Sequence, residues 1–179
     1  MKEKYLDMKD NLIDIIKEEQ AKLGYRKESI RLYYPLGSLK HLLKADADIE
    51  KMREMLDDFC DEVKEFFGQI EVTNNGERFC FKIPDTGVEY VHENMAENEF
   101  ICGLVKLVSE HGCTIEKIKE YFLSYNNDIH YEKTKNGEFD YLLYFNNGIP
   151  DKYYYCFKIE ECHIIYHRFL KHDYEDFEF

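Results

Sequence analysis

Asn136-Gly-Glu-Phe-Asp-Tyr-Leu-Leu-Tyr-Phe-Asn-Asn-Gly148 reads as one strand held between two turns. Over 138–145, Phe139, Tyr141, Leu143 and Phe145 fall on one face, and Glu138, Asp140, Leu142 and Tyr144 on the other. Asn136-Gly137 and Asn146-Asn147-Gly148 supply the positive-φ positions that hairpin turns need. Downstream, 152–159 repeats the alternation with Tyr153, Tyr155, Phe157 and Ile159. After Glu160-Glu161 a last strand runs from Cys162 to about Phe169. Four consecutive strands between Asp128 and Leu170 make an antiparallel β-meander, whose apolar face requires a cover of helices.

Upstream, the cover is legible. Tyr5, Met8, Leu12, Ile15, Ile16 and Leu23 recur at helical spacing and stop at Gly24. Arg26 to Tyr34 reads as a connector, and Pro35 opens a short helix through Leu43. Asp48 caps a helix with the stripe Ile49, Met52, Leu56, Phe59, Cys60, Val63, Phe66 and Phe67, ended by Gly68. A smaller meander is expected next: strands at 70–73 and 79–83 around Asn74-Asn75-Gly76, a turn at Pro84-Asp85-Thr86-Gly87, and a third strand over 88–93. Asn94 and Glu97 suggest a capping box for a helix closing at Gly112, and Thr114 caps another that carries Ile115, Ile118, Tyr121, Phe122 and Tyr125. The expected fold class is α+β: a helical N-terminal third, a small β-meander, a helical hairpin and a large C-terminal antiparallel β-meander. Residues 1–170 are expected to form a single domain, with 171–179 an acidic tail. Segments 49–93 and 114–159 each run from a helix ending in Lys-Glu-aromatic-Phe to an Asn-Gly hairpin, through internal duplication or through the small repertoire of hairpin residues.

The 179 residues carry 24 Lys+Arg against 37 Asp+Glu, a net charge of −13. Such a field disfavours a phosphate backbone and favours a basic protein partner. No stretch approaches the roughly 20 apolar residues of a membrane span, and the charged amphipathic start is unlike a secretory leader, so a cytoplasmic location with no membrane is expected. Six cysteines fall singly within apolar patterns with no C-x-x-C, as reduced, mostly buried thiols do.

Ile30-Arg-Leu-Tyr-Tyr-Pro-Leu-Gly-Ser-Leu39, taken with Asn11-Leu-Ile-Asp-Ile-Ile-Lys-Glu-Glu-Gln20 and Leu23-Gly-Tyr-Arg26, resembles a family of small uncharacterised bacterial proteins, a domain of unknown function. The resemblance is carried mainly by residues 11–39. It implies a bacterial, cytosolic, stand-alone domain, and it brings no activity and no functional residue.

The residues themselves argue against several chemistries. Cys162, His163 and His167, with Cys156 and His172 nearby, have metal-ligand side chains, but on a strand His163 and His167 lie roughly 13 Å apart at about 3.3 Å per residue, too far for one ion. No metal site and no cofactor are expected. The helices over 97–125 resemble a helix-turn-helix around Gly112, yet Glu116, Lys117, Lys119 and Glu120 cancel on the second helix, so nucleic acid is not the favoured partner. Cys102 or Cys113 with His111 is a nucleophile pair in residue type only, and no phosphate-loop, dinucleotide, nucleophile-elbow or zinc-protease motif occurs. No catalytic residue is assigned.

Fifteen Tyr and thirteen Phe without Trp leave a surplus of aromatic surface. On a strand Tyr154 faces away from Tyr153 and Tyr155, so Leu142, Tyr144 and Tyr154 should share the face opposite Tyr141, Leu143, Phe145, Tyr155 and Phe157. That face is the expected binding surface, for a basic protein or for a second copy in a homodimer. The favoured function is a non-enzymatic acidic protein-binding module, immunity-like or chaperone-like. The alternatives are a small-molecule enzyme with a pocket between helices and sheet, and a DNA-binding regulator using helices 97–125.

Overall fold

The computed structural model describes residues 2–135, 137–161 and 163–176. The chain divides into two compact units, Met1–Asn98 and Glu99–Phe179. Among the described residues the architecture is α+β, with two antiparallel sheets of three and four strands.

In the first unit, a 3-10 turn at Glu3–Tyr5 leads into α1 (Leu6–Leu23), then β1 (Ile30–Pro35), α2 (Leu36–Leu42), α3 (Ile49–Phe67), β2 (Glu71–Asn75), β3 (Arg78–Ile83) and α4 (Asp85–Asn94). α3 follows its stripe closely. Asp48 accepts a hydrogen bond from the Lys51 N–H at 2.9 Å, Met52, Leu56, Phe59, Cys60, Val63 and Phe67 are buried, and Gly68 ends the helix at φ 70°. The sheet order is β1-β3-β2, and Leu32, Tyr34, Phe79, Phe81 and Ile83 turn inward. Tyr34 keeps its hydroxyl satisfied in the core by donating to Asn11 Oδ1 at 2.8 Å.

Two expectations fail here. Arg26 to Tyr34 is no mere connector: from Ile30 it is β1, paired antiparallel with β3 so that Leu32 faces Phe81. Residues 88–93 are not a third strand but part of α4. Pro84 is its N-cap, and the Pro84 carbonyl accepts from the N–H groups of Gly87 (3.0 Å) and Val88 (3.3 Å). Gly87 therefore sits in a helix, without positive φ, while Gly76, Gly137 and Gly148 do lie in left-handed turns. The glycine serves close packing: a Cβ on Gly87 would stand 2.6 Å from the Phe67 carbonyl oxygen and 3.0 Å from Ile83 Cγ2. Val88 and Val91, three residues apart on α4, are buried beside it.

The second unit runs α5 (Glu99–Val108), α6 (Ile115–Tyr125), β4 (Ile129–Lys133), β5 (Tyr141–Phe145), β6 (Tyr154–Glu160), β7 (His163–Phe169) and α7 (Lys171–Asp176). The helix expected from Asn94 begins only at Glu99, because Asn94 ends α4. Thr114 caps α6 by accepting from the Lys117 N–H at 3.3 Å. The four strands pair in sequence order, β4-β5-β6-β7, as a meander does. Phe100 is the hub of the core, 5.0 Å from Phe122, 5.2 Å from Phe145 and 5.8 Å from Tyr155 between ring centres. Gly103 is needed on α5 because a Cβ there would collide with the Tyr121 hydroxyl, which donates to the Phe100 carbonyl at 2.9 Å.

β5 is shorter than 138–145. Residues 137–140 are a loop pinned by Asp140, whose N–H donates to the Phe157 carbonyl (2.8 Å) and whose carboxylate accepts from the Ile159 N–H (2.7 Å). Phe139 is thereby freed from the strand's parity and packs with Leu142 and Cys156, on the opposite face from Leu143 and Phe145. Two residues named in the sequence reading, Asn136 and Cys162, lie outside the described residues, as does 177–179 of the tail. Residues 171–176 of that tail form α7. Over 49–93 the element order is helix, strand, strand, helix; over 114–159 it is helix followed by three strands.

Candidate functional site

The register of the four-stranded sheet assigns its two faces. His130 pairs with Tyr144, Glu132 with Leu142, Leu142 with Cys156, Cys156 with His167, and Tyr154 with Phe169. These residues make the outer face. Tyr141, Leu143, Tyr155 and Phe157 make the inner one, where Phe122 packs at 5.4 Å from Tyr155. Leu142, Tyr144 and Tyr154 are thus brought together.

Their rings are ordered. His130 stacks on Tyr144 (4.6 Å between centres, 13° between planes), and Tyr144 stacks on Tyr154 (3.9 Å, 6°). The row continues to Tyr174 of α7, 5.5 Å from Tyr154. Leu142, Cys156 and Phe139 are buried beneath, and Tyr144, Tyr154, Phe169 and Tyr174 are half-buried around them. Leu142 is therefore the floor of this surface, and of the three expected binding residues Tyr144 and Tyr154 present part of themselves to solvent. The sequence carries no signal for α7, because six residues hold too little periodicity to declare a helix.

The electrostatics are those of neutral phenols beside carboxylates. Burial pushes the hydroxyls of Tyr144, Tyr154 and Tyr174 above the ordinary phenol value. The Glu132 carboxylate lies 3.1 Å from His130 Nε2, and Glu175 lies 3.7 Å from Lys171. Burial pushes the Cys156 thiol up to about 12, so it is no nucleophile at neutral pH. Burial likewise raises the Cys113 thiol.

On β7, His163 lies 3.2 Å from Glu160, and His167 packs its ring 5.3 Å from Phe139. Among the described residues no group of three or more His, Cys, Asp or Glu is arranged to hold a metal ion. One buried ion pair escaped the sequence reading. Arg168 Nη2 meets Asp151 Oδ2 at 2.7 Å, both side chains 2% exposed, with the guanidinium 3.6 Å over the Tyr153 ring. The signal was present: Arg168 occupies the inward parity of β7 with Ile164 and Tyr166, where an unpaired cation is costly. In the first unit, a cleft of about 100 Å³ lies among Ile16, Gln20, Leu23, Arg26, Ile30 and Val88. That is below the roughly 300 Å³ at which small-molecule sites begin.

Among the described residues no helix is long and apolar enough to cross a membrane. No curated protein and no solved structure matches the chain. Residues 5–178 match the family described as "Domain of unknown function, E. rectale Gene description (DUF3877)", and the chain belongs to that family.

Proposed function

We propose that the protein is a non-enzymatic binding module that holds a basic protein partner on the outer face of the four-stranded sheet. The observation that carries this reading is the stacked row His130–Tyr144–Tyr154, half-buried over the floor of Leu142 and Cys156. Stacked tyrosines offer contact area with their rotamers already restricted, so little side-chain entropy is lost on binding. Glu132, Glu160 and Glu175 stand at the edges of the same face. The unit Glu99–Phe179 carries nine Lys+Arg against fifteen Asp+Glu, a field that steers a basic partner toward it.

The test compares wild-type protein, Tyr154→Ala and the Tyr144→Ala/Tyr154→Ala double variant as bait in the native host, with sedimentation of each alone. The reading expects a basic protein that is captured by wild type, depleted about tenfold or more by Tyr154→Ala, and released by salt. Capture unaffected by the double variant overturns it. Wild-type dimers that dissociate in the variants would reassign the face to a second copy of the chain.

A further inference from the structure

The outer face of the three-stranded sheet is built quite differently. Its inward residues are consumed by the core, and its outward residues stand in three cross-strand rows: Arg31–Lys82–Glu71, Tyr33–Cys80–Thr73 and Pro35–Arg78–Asn75. Arg31, Tyr33, Glu71, Thr73, Asn75 and Arg78 are exposed, Tyr33 to 54%. On a chain of net charge −13 this face is basic. Lys82 is neutralised by Glu71 at 3.1 Å. Among the described residues neither Arg31 nor Arg78 is in an ion pair. The Arg78 guanidinium is held 4.8 Å over the Tyr33 ring, which orients its fork of donors. Tyr33, Thr73, Asn74, Asn75, Arg78 and Cys80 line a shallow, open concavity of about 520 Å³.

We infer that this face is a second binding surface, distinct from the aromatic row on the large sheet, and that it takes an extended acidic segment of a protein partner. Spacing selects the occupant. Arg31 lies opposite Lys82 and Arg78 opposite Pro35, so the two arginines are offset by four strand positions, about 13 Å at about 3.3 Å per residue. Carboxylates four residues apart on an extended peptide match that offset along the strand direction, and the side chain midway between them is level with Tyr33 and Cys80. The recognised pattern is acid-x-apolar-x-acid, with each carboxylate bidentate on one guanidinium and the central apolar or aromatic side chain against the exposed phenol ring. Thr73 and Asn75 supply further polar contacts at the rim. A nucleic-acid strand is the poorer fit, because its charge continues past the two arginines into Glu71 and Glu77, on a unit with fifteen Lys+Arg against twenty-two Asp+Glu.

The experiment titrates the full-length chain, ¹⁵N-labelled, with a blocked Glu-Ser-Phe-Ser-Glu peptide, its Gln-Ser-Phe-Ser-Gln counterpart and an oligouridylate of twelve nucleotides. The inference expects amide shifts at Arg31, Tyr33, Thr73 and Arg78 with the acidic peptide only, weakening with added salt. In Arg31→Ala/Arg78→Ala the affinity falls about tenfold or more, because both charge-assisted pairs are lost. Arg31→Lys/Arg78→Lys keeps the charge but loses the fork, and recovers only part of the binding. Both sites are solvent-exposed, and unchanged spectra elsewhere verify that the variants are folded. Absence of shifts with the acidic peptide, equal shifts with the Gln peptide, or tighter binding of the oligouridylate to the same residues each overturns the inference. Tyr144→Ala/Tyr154→Ala leaves these shifts unchanged, so failure on one sheet is told apart from failure on the other.

Discussion

The two sheets meet the same problem, a sheet with one face in the core, and treat the other face in opposite ways. On β4-β5-β6-β7 the outer face is half-clothed by the chain itself: the loop carrying Phe139 and the Tyr174 side chain of α7 close over Leu142 and Cys156, and the remaining rings stack. On β1-β3-β2 the outer face is bare, with Arg31, Tyr33 and Arg78 in solvent. The difference teaches that an outward tyrosine has no fixed role. Tyr154 is held on two sides by rings, whereas Tyr33 is held by one guanidinium.

The largest effect should come from the large sheet's interior. Asp151→Asn removes the carboxylate 2.7 Å from the Arg168 guanidinium at a site where both side chains are 2% exposed, and should cost about 3 kcal/mol by chemical denaturation. A loss below about 1 kcal/mol would mean that the pair is solvated. In the first unit the corresponding weak point is steric. Gly87→Ala drives a methyl group onto the Phe67 carbonyl and should cost about 1–3 kcal/mol, despite alanine's better helix propensity. A stabilised Gly87→Ala would argue against the close contact of α4 with the end of α3.

Smaller, and aimed at the two outer faces, is the tyrosine pair. Tyr154→Ala should lower stability by about 1 kcal/mol through its lost stacking partners, and Tyr33→Ala by no more than about 0.5 kcal/mol. Thermal melts of the two variants, side by side, test whether the faces differ as described. The least effect at neutral pH, visible only in alkali, concerns ionisation. Tyr144, Tyr154 and Tyr174 have pKa values raised above 10.0, chiefly by burial. Their contribution is fully present below pH 10 and is lost as pH rises through the raised values, because the unfolded chain ionises more readily. Ultraviolet titration should show a late-ionising phenol class that shrinks in Tyr144→Ala/Tyr154→Ala.

An element is legible in the sequence when the contacts that stabilise it are close along the chain. The meander from β4 to β7 pairs neighbours in the chain, so alternation and turn residues were enough to place Leu142, Tyr144 and Tyr154 on one face. β1 has the same alternation in Ile30, Leu32 and Tyr34, but its partner β3 begins more than forty residues later and no local turn announces it. Strand parity places Phe139 with Leu143, but Phe139 belongs to a loop and packs on the opposite face.

By itself the sequence determined the stripes and caps of α3 and α6, the turn glycines at 76, 137 and 148, the order of the large meander and the acidic charge. These are properties of neighbouring residues, set by helical or strand periodicity and by Cβ sterics. Tertiary structure alone decided between turn and helix at Pro84-Asp85-Thr86-Gly87. A type I turn and a first helical turn begin with nearly the same dihedral angles, so the local signal is shared. What separates them is the packing of Gly87 on Phe67 and the burial of Val88 and Val91, and that free energy exists only once α3 is in place. The same holds for the cover on each outer face: whether a tyrosine row is closed by α7 or left open follows from where distant segments land, which no window of neighbouring residues contains.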